Sequence, residues 1–227
     1  MPTRLEIIAE QRREKLARLR ALGIDPYPRR YDRSHTTIEA VKQLQKLESL
    51  SPEEKAAAER AEEDHVAVAG RIMAVRRMGR SAFADLRDGS GKIQLLFQDI
   101  HKLPDNQREL FDELDIGDII GAEGILGRTK TSEPTVWVGY FQMLAKSLQP
   151  LPDKWHGLSD VDTRYRQRYI DLIANPEVKQ VFQARSRTIS AIRQFLDGRS
   201  FHCRDALRRF GQHYPGRYQS ETCLPFH

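Results

Sequence analysis

The chain has 227 residues, 39% of them hydrophobic and 30% charged, with a mean hydropathy of −0.62. That length allows one large domain or two small ones and a core that needs no disulfide staples. No run approaches the roughly 18 apolar residues of a membrane-crossing helix, and the charged N-terminus lacks a secretory pattern, so a soluble, cytoplasmic protein with no membrane partner is expected. Lys and Arg number 37 against 32 Asp and Glu, a net charge of +5, which permits a polyanionic partner without demanding one. Both cysteines, Cys203 and Cys223, lie near the C-terminal end, which argues against a disulfide framework or a Cys-based metal site in the main body.

Residues 4–22 read as a helix, with Leu5, Ile8, Leu16, Leu19 and Leu22 near helical spacing and Gly23 as its stop. Arg4, Arg12, Arg13, Lys15, Arg18 and Arg20 on its polar side suit either a solvated face or a phosphate-contacting strip. Asp25-Pro26-Tyr27-Pro28 breaks the chain, and helical signal returns at 37–48. A third helix starts at Ser51, with Pro52 at its first position and Glu54 completing a capping box.

At His65 the period changes from helical to alternating. Val66, Val68, Gly70, Ile72 and Ala74 share one side, and Gly79 ends the run. A second strand fits 82–87, with Phe83 and Asp85 on one face and Leu86 on the other. Asp88-Gly89-Ser90-Gly91 reads as a hairpin turn whose glycines supply positive φ, and Lys92–Phe97 as the third strand. A short helix over 106–114 and strands over 118–127 and 135–144 follow, the last two separated by a loop at 128–134. Three strands, a helix and two strands in this order predict a five-stranded OB barrel, a fold that binds oligonucleotides on its second and third strands. After the stiff Gln149-Pro150-Leu151-Pro152, helices are expected over 164–173 and 176–196. The latter carries an apolar stripe of Val178, Val181, Phe182, Ile189, Ile192, Phe195 and Leu196.

An unpaired base offers a flat π surface and a polar edge, so a base-binding barrel needs an aromatic platform with donors and acceptors beside it. Phe83 and Gln94 could provide these, Arg71 could stack or pair with a carbonyl or phosphate, and Glu133 could accept from a base imino group. The bland alternative puts Phe83 in the core and the other three in solvent. Arg164, Arg168, Tyr165 and Tyr169 pair at i,i+4 and suit a polar interface in which guanidinium forks meet carboxylates. No catalytic residues and no metal ligands are legible. There is no Walker-type glycine loop, and His202, Cys203, His213, Cys223 and His227 do not follow a zinc spacing.

The segments LRALGIDPYP (19–28), VAVAGRIMAVRRMGRSAFADLRDGSGKIQLLF (66–97), LDIGDIIGAEGILGRTKTSEPTVWV (114–138), LAKSLQPLPDKWHGLSDVDTRYRQRYIDLIANPEV (144–178) and RSRTISAIRQFLD (185–197) resemble the N-terminal part of class II lysyl-tRNA synthetases. The run GLSDVDTRYRQRYIDL is the most specific. The resemblance implies an α+β chain: a helical region over 1–64, an OB-fold anticodon-binding domain over 65–148, and a linker with the start of a class II catalytic domain, including the motif 1 helix, over 149–200. It implies that Arg71, Phe83, Gln94 and Glu133 read the uridine-rich anticodon of lysine tRNA, and that the motif 1 helix builds a homodimer. A full-length member uses ATP and Mg²⁺ to form lysyl-adenylate and then acylates tRNA. Motifs 2 and 3, which bind ATP and lysine, do not occur in this sequence, so the chain alone is expected to bind tRNA without catalysis. A stand-alone RNA-binding OB module is the alternative, and aggregation through the apolar stripe a third outcome.

The resemblance stops near Gly198. Read one nucleotide later, degenerate codons for Phe201–Leu207 can encode F-I-V-E-T-P and those for Tyr214–Arg217 can encode I-P-G-G, both close to the family's continuation. Residues 201–227 are therefore expected to be an out-of-frame, disordered tail.

Overall fold

A computed structural model of the chain describes residues 3–152 and 160–199; the expectations for the tail lie outside the described residues. The chain divides into two compact units, Met1–Leu151 and Pro152–His227.

The first unit opens with three helices, each started by the same device. In α1 (Arg4–Ala21) the Thr3 hydroxyl accepts from the Glu6 backbone N–H, while the Glu6 carboxylate accepts from the Thr3 N–H at 2.6 Å. Thr36 and Glu39 repeat this at α2 (Thr37–Ser49), and Ser51 and Glu54 at α3 (Pro52–Arg60). Each box satisfies two otherwise orphaned donors. α1 buries Leu16 and Leu19, whereas Leu5 and Leu22 stay exposed.

The strands are β1 (His65–Met78), β2 (Ser81–Arg87), β3 (Lys92–Phe97), β4 (Ile119–Arg128) and β5 (Pro134–Ala145). They close into a barrel in the order β1-β2-β3-β5-β4, with β3 and β5 parallel and all other neighbours antiparallel. A 3₁₀ turn (Ile100–Lys102) and α4 (Asp105–Asp112) join β3 to β4. Alternation decides what lies inside. Val66, Val68 and Ile72 of β1, Ala82, Ala84 and Leu86 of β2, and Ile93, Leu95 and Phe97 of β3 are buried in one core. Leu110 and Phe111 of α4 join it, and Phe97, Phe111 and Phe141 meet edge to face, with centroids 4.9–6.4 Å apart. Leu19, Ala40 and Leu44 belong to the same core, so α1 and α2 pack on the barrel.

The 88–91 turn forms between β2 and β3, but not through its glycines. The glycines with positive φ among the described residues are Gly23, Gly79 and Gly117. The Asp88 carboxylate organises the turn instead, accepting from the backbone N–H of Ser90 at 2.7 Å and of Gly91 at 2.8 Å. It also accepts from the Thr37 N–H at 2.9 Å and the Thr37 hydroxyl at 2.7 Å, which ties the turn to the start of α2.

The cations of α1 divide: Arg4, Arg13 and Arg20 are exposed, while Arg12, Lys15 and Arg18 are held by the barrel unit. Buried Arg12 donates to the carbonyls of Ile116, Ser147 and Gln149 at 2.9–3.0 Å. Lys15 pairs with Asp115 at 2.8 Å and Arg18 with Glu113 at 2.7 Å. Beneath them Lys146 is fully buried and bonds Asp115 at 2.6 Å, Asp118 at 2.8 Å and the Glu113 carbonyl at 2.6 Å. A buried ammonium is tolerable only with such a complete set of partners.

The second unit holds α5 (Val161–Arg166), α6 (Arg168–Ala174) and α7 (Pro176–Asp197). The sequence suggests one helix over 164–173; the structure has two, broken at Gln167 with φ −116° and ψ 57°. The buried Asp171 carboxylate accounts for the break. It accepts from Arg164 at 2.8 Å, from Asn175 at 2.8 Å and from Arg168. In a continuous helix Arg164 and Asp171 would stand about 10.5 Å apart along the axis, too far for that bond. Arg168 also lies over the rings of Tyr165 and Phe182, with Tyr165 and Tyr169 exposed. The guanidinium forks thus meet a carboxylate inside their own unit. On α7, Val178 is buried and the rest of the apolar stripe, including Val181, Ile192 and Phe195, is exposed.

Burial acts to raise the Asp88 pKa, but the hydrogen bonds from Thr37, Gly91 and Ser90 outweigh it and hold the group well below the usual carboxylate range. A depressed folded-state pKa gives stability that is full above the unfolded value of about 3.9 and is lost as pH falls through that range toward the folded value. In acid-melting experiments Asp88→Asn should lower the melting temperature at neutral pH and flatten its fall below about pH 4. An unchanged acid limb would contradict the role given to Asp88.

Candidate nucleic-acid interface

Because Ala82, Ala84 and Leu86 point into the core, Ser81, Phe83, Asp85 and Arg87 must point out. Phe83 is half-buried on that outer face and takes no part in the core. Cross-strand register then sets its neighbours. One row runs Arg76–Phe83–Leu96–Trp137 across β1, β2, β3 and β5. The next runs Ala74–Asp85–Gln94–Thr135, and beyond it stand Arg71, Arg87 and Lys92. Rows two residues apart along a strand are separated by about 6.6–6.8 Å.

Gln94 is diagonal to Phe83 and, at 6% exposure, more enclosed than either reading of the sequence expected. Its Oε1 lies 3.1 Å from the Thr135 hydroxyl, which is also 2.9 Å from the Glu133 carbonyl. That hydroxyl has one proton for two acceptors. When it serves Gln94, the amide nitrogen is left for a ligand. When it serves Glu133, the Gln94 amide can turn over, donate to Thr135 and leave its carbonyl free. The pair can therefore meet a donor or an acceptor.

Glu133 stands at the end of the loop between β4 and β5, its carboxylate half-exposed and 3.9 Å from the Lys92 ammonium. The loop is closed on itself. Thr129 N–H donates to the Glu133 carbonyl at 3.2 Å, and Ser132 N–H to the Thr129 carbonyl at 2.8 Å. Arg128 bonds the Ser132 carbonyl at 2.7 Å and reaches the Glu48 carboxylate on α2 at 2.9 Å. The helical region thereby fixes where Glu133 sits.

Gln94 and Glu133 are thus linked through Thr135, with Phe83 beside them. Arg71 is not in that group. It stands opposite Arg87, and its guanidinium donates to the Gly117 carbonyl at 2.7 Å. The cation facing Phe83 is Arg76, which pairs with Asp85 at 3.1 Å. Arg71 and Arg76 are an odd number of residues apart, so a regular strand would send them to opposite faces. The irregularity between Ile72 and Ala74 brings both outside.

Sequence reasoning missed Thr135 and Trp137. Trp137 is 38% exposed at the end of the Phe83 row, and its indole lies over Gly127, where an added Cβ would come within 2.9 Å of Nε1. The alternation of Thr135, Val136 and Trp137 was the available signal: Val136 is buried in the core, so its two neighbours face out. Among the described residues no group of His, Cys, Asp or Glu could hold a metal ion, and no helix is long and apolar enough to cross a membrane.

The closed five-stranded barrel is an OB fold, and the family described as OB-fold nucleic acid binding domain matches residues 66–151. A second family, class II tRNA synthetases (D, K and N), matches residues 160–203. The chain is 46% identical over 196 residues to the lysine–tRNA ligase of Dehalococcoides mccartyi, covering 86% of this chain and 38% of that protein. It is 47% identical over 190 residues to that of Pelotomaculum thermopropionicum, covering 84% and 35%, and 47% identical over 195 residues to that of Xylella fastidiosa, covering 86% and 37%. Over these spans the chain is similar to lysine–tRNA ligases, and it covers between 35% and 38% of the length of these relatives.

Thr135 is fully buried, so Thr135→Val keeps its shape and removes the hydroxyl that lies between Gln94 and the Glu133 carbonyl. The variant should lose about 1–3 kcal/mol of stability, read as a lower urea midpoint at unchanged slope. An unaltered midpoint would show that the hydroxyl does not tie Gln94 to the 129–133 loop.

Proposed function

We propose that the outer face of the barrel holds the uridine-rich anticodon of lysine tRNA. Phe83 stacks a base. The Glu133 carboxylate accepts the imino N–H of a uracil, and the Gln94 amide meets a carbonyl on the same edge. Arg71 takes up the adjoining backbone. The observation that carries this reading is the position of the Phe83 ring, outside the core and next to the Gln94–Thr135–Glu133 linkage. A uracil presents one donor between two acceptors, and this group offers the matching acceptor and donor. In this reading the chain acts in the cytoplasm, where tRNA is charged, and the exposed stripe of α7 is the surface through which two copies associate.

ATP and Mg²⁺ belong to the activity of the full-length relatives. The described residues offer no carboxylate cluster to seat the metal, so no step of lysine activation is assigned to them. The contribution of this stretch is to choose the tRNA.

Two measurements test this. In filter binding, lysine tRNA should bind more tightly than a tRNA differing only in its anticodon, and Phe83→Ala should weaken the lysine tRNA complex by about 1–3 kcal/mol and erase the preference. Equal binding of the two tRNAs, or a Phe83→Ala variant that binds like the parent, would overturn the assignment. The purified chain should also show no lysine-dependent pyrophosphate exchange; measurable exchange would mean that activation chemistry resides in this stretch.

A further inference from the structure

Beyond Phe83 and Gln94, the same face carries an arrangement that base stacking does not explain. Arg71, Arg87 and Lys92 stand directly opposite one another on β1, β2 and β3. Strands lie about 4.8 Å apart, so three cations share a span of about 10 Å. Like charges directly opposite destabilise a sheet. The carboxylates nearby do not cancel the row. Asp88 is taken up by Thr37, Ser90 and Gly91, and Asp85 is paired with Arg76. Glu133, 3.9 Å from Lys92, is the only carboxylate among the described residues within ion-pair distance of any of the three. Arg71 is steadied by the neutral Gly117 carbonyl, which orients the guanidinium without neutralising it.

We propose that Arg71, Arg87 and Lys92 form a phosphodiester-binding row that grips the backbone of the same single strand whose base lies on Phe83. This rests on the reading of the face as an RNA site and extends it to Arg87 and Lys92. An anion in the row removes the mutual repulsion, and a guanidinium fork matches two phosphate oxygens at once. Arg87 is four residues from Phe83 on β2, about 13 Å along the strand, so the row meets the backbone beyond the stacked base. The row supplies affinity without regard to sequence, while Phe83, Gln94 and Glu133 supply the choice of base.

The test measures binding of the full chain to oligouridylate and to oligoadenylate of equal length over a range of salt, for the parent, Arg87→Gln and Phe83→Ala. Arg87→Gln should weaken both oligomers alike, by about threefold to tenfold at low salt, and should reduce the salt slope of log affinity by about 0.7. Its preference for uridine should persist, and its melting temperature should not fall, because a repulsive neighbour is gone. Lys92→Gln, at an exposed position, should act in the same direction and serves if Arg87→Gln proves unstable. If both variants keep the parent's slope while Phe83→Ala weakens binding, the phosphate row is wrong and the base face stands. If Phe83→Ala binds like the parent while the slope falls in Arg87→Gln, the row stands and the base face is wrong. A parent that binds neither oligomer overturns both.

Discussion

The two-residue period of β2 is the constraint on which the rest of the barrel's chemistry depends. Three small or apolar side chains, Ala82, Ala84 and Leu86, are needed to fill the interior, and they leave Phe83 no place there. Closure of the barrel then removes any freedom of register. Leu96 must face Phe83, Trp137 must face Leu96, and Gln94 must face both Asp85 and Thr135. A slip of one residue would move every one of these side chains to the other side of the sheet. The layout of the candidate interface is thus a by-product of core packing.

Charge is divided between holding the fold and facing outward. Half of the α1 cations are taken up by the fold: Arg12 satisfies three carbonyls, and Lys15 and Arg18 meet carboxylates at the end of α4 and in the segment after it. With buried Lys146 bonded to Asp115 and Asp118, these contacts fix the helix against the barrel. On the outer face of β1 to β3, by contrast, Arg71, Arg87 and Lys92 stand opposite one another. A modest net charge therefore conceals a local excess of positive charge where a strand of nucleic acid would run. Likewise, α2 reaches two loops of the barrel, through Thr37 to the 88–91 turn and through Glu48 to the loop that carries Glu133.

Much of this was legible in the sequence because local signals agreed with the fold. Alternation and turn residues marked all five strands to within a residue or so, and they divided β2 into a Phe83–Asp85 face and a Leu86 face without deciding which of the two turned inward. Thr3-x-x-Glu6 and Thr36-x-x-Glu39 carried the same capping signature as Ser51-x-x-Glu54 and could have been read with it. What stayed hidden depended on contacts between distant segments. The irregularity near Met73 cannot be seen from alternation, and it decides that Arg76 rather than Val75 stands opposite Phe83. The break at Gln167 arises because buried Asp171 draws in Arg164, and helical spacing of Arg and Tyr gives no hint of that. The enclosure of Gln94 depends on Thr135 of β5, forty-one residues away, which no local pattern connects to it.

The most direct measurement follows the ring protons of Phe83 and Trp137 by NMR while a stem-loop bearing the lysine anticodon is added to the isotopically labelled chain. Stacking of a base on Phe83 predicts marked upfield displacement of its ring signals, with smaller changes at Trp137 and none at the core rings of Phe97 and Phe141. Unmoved Phe83 signals in a saturated complex would contradict the account.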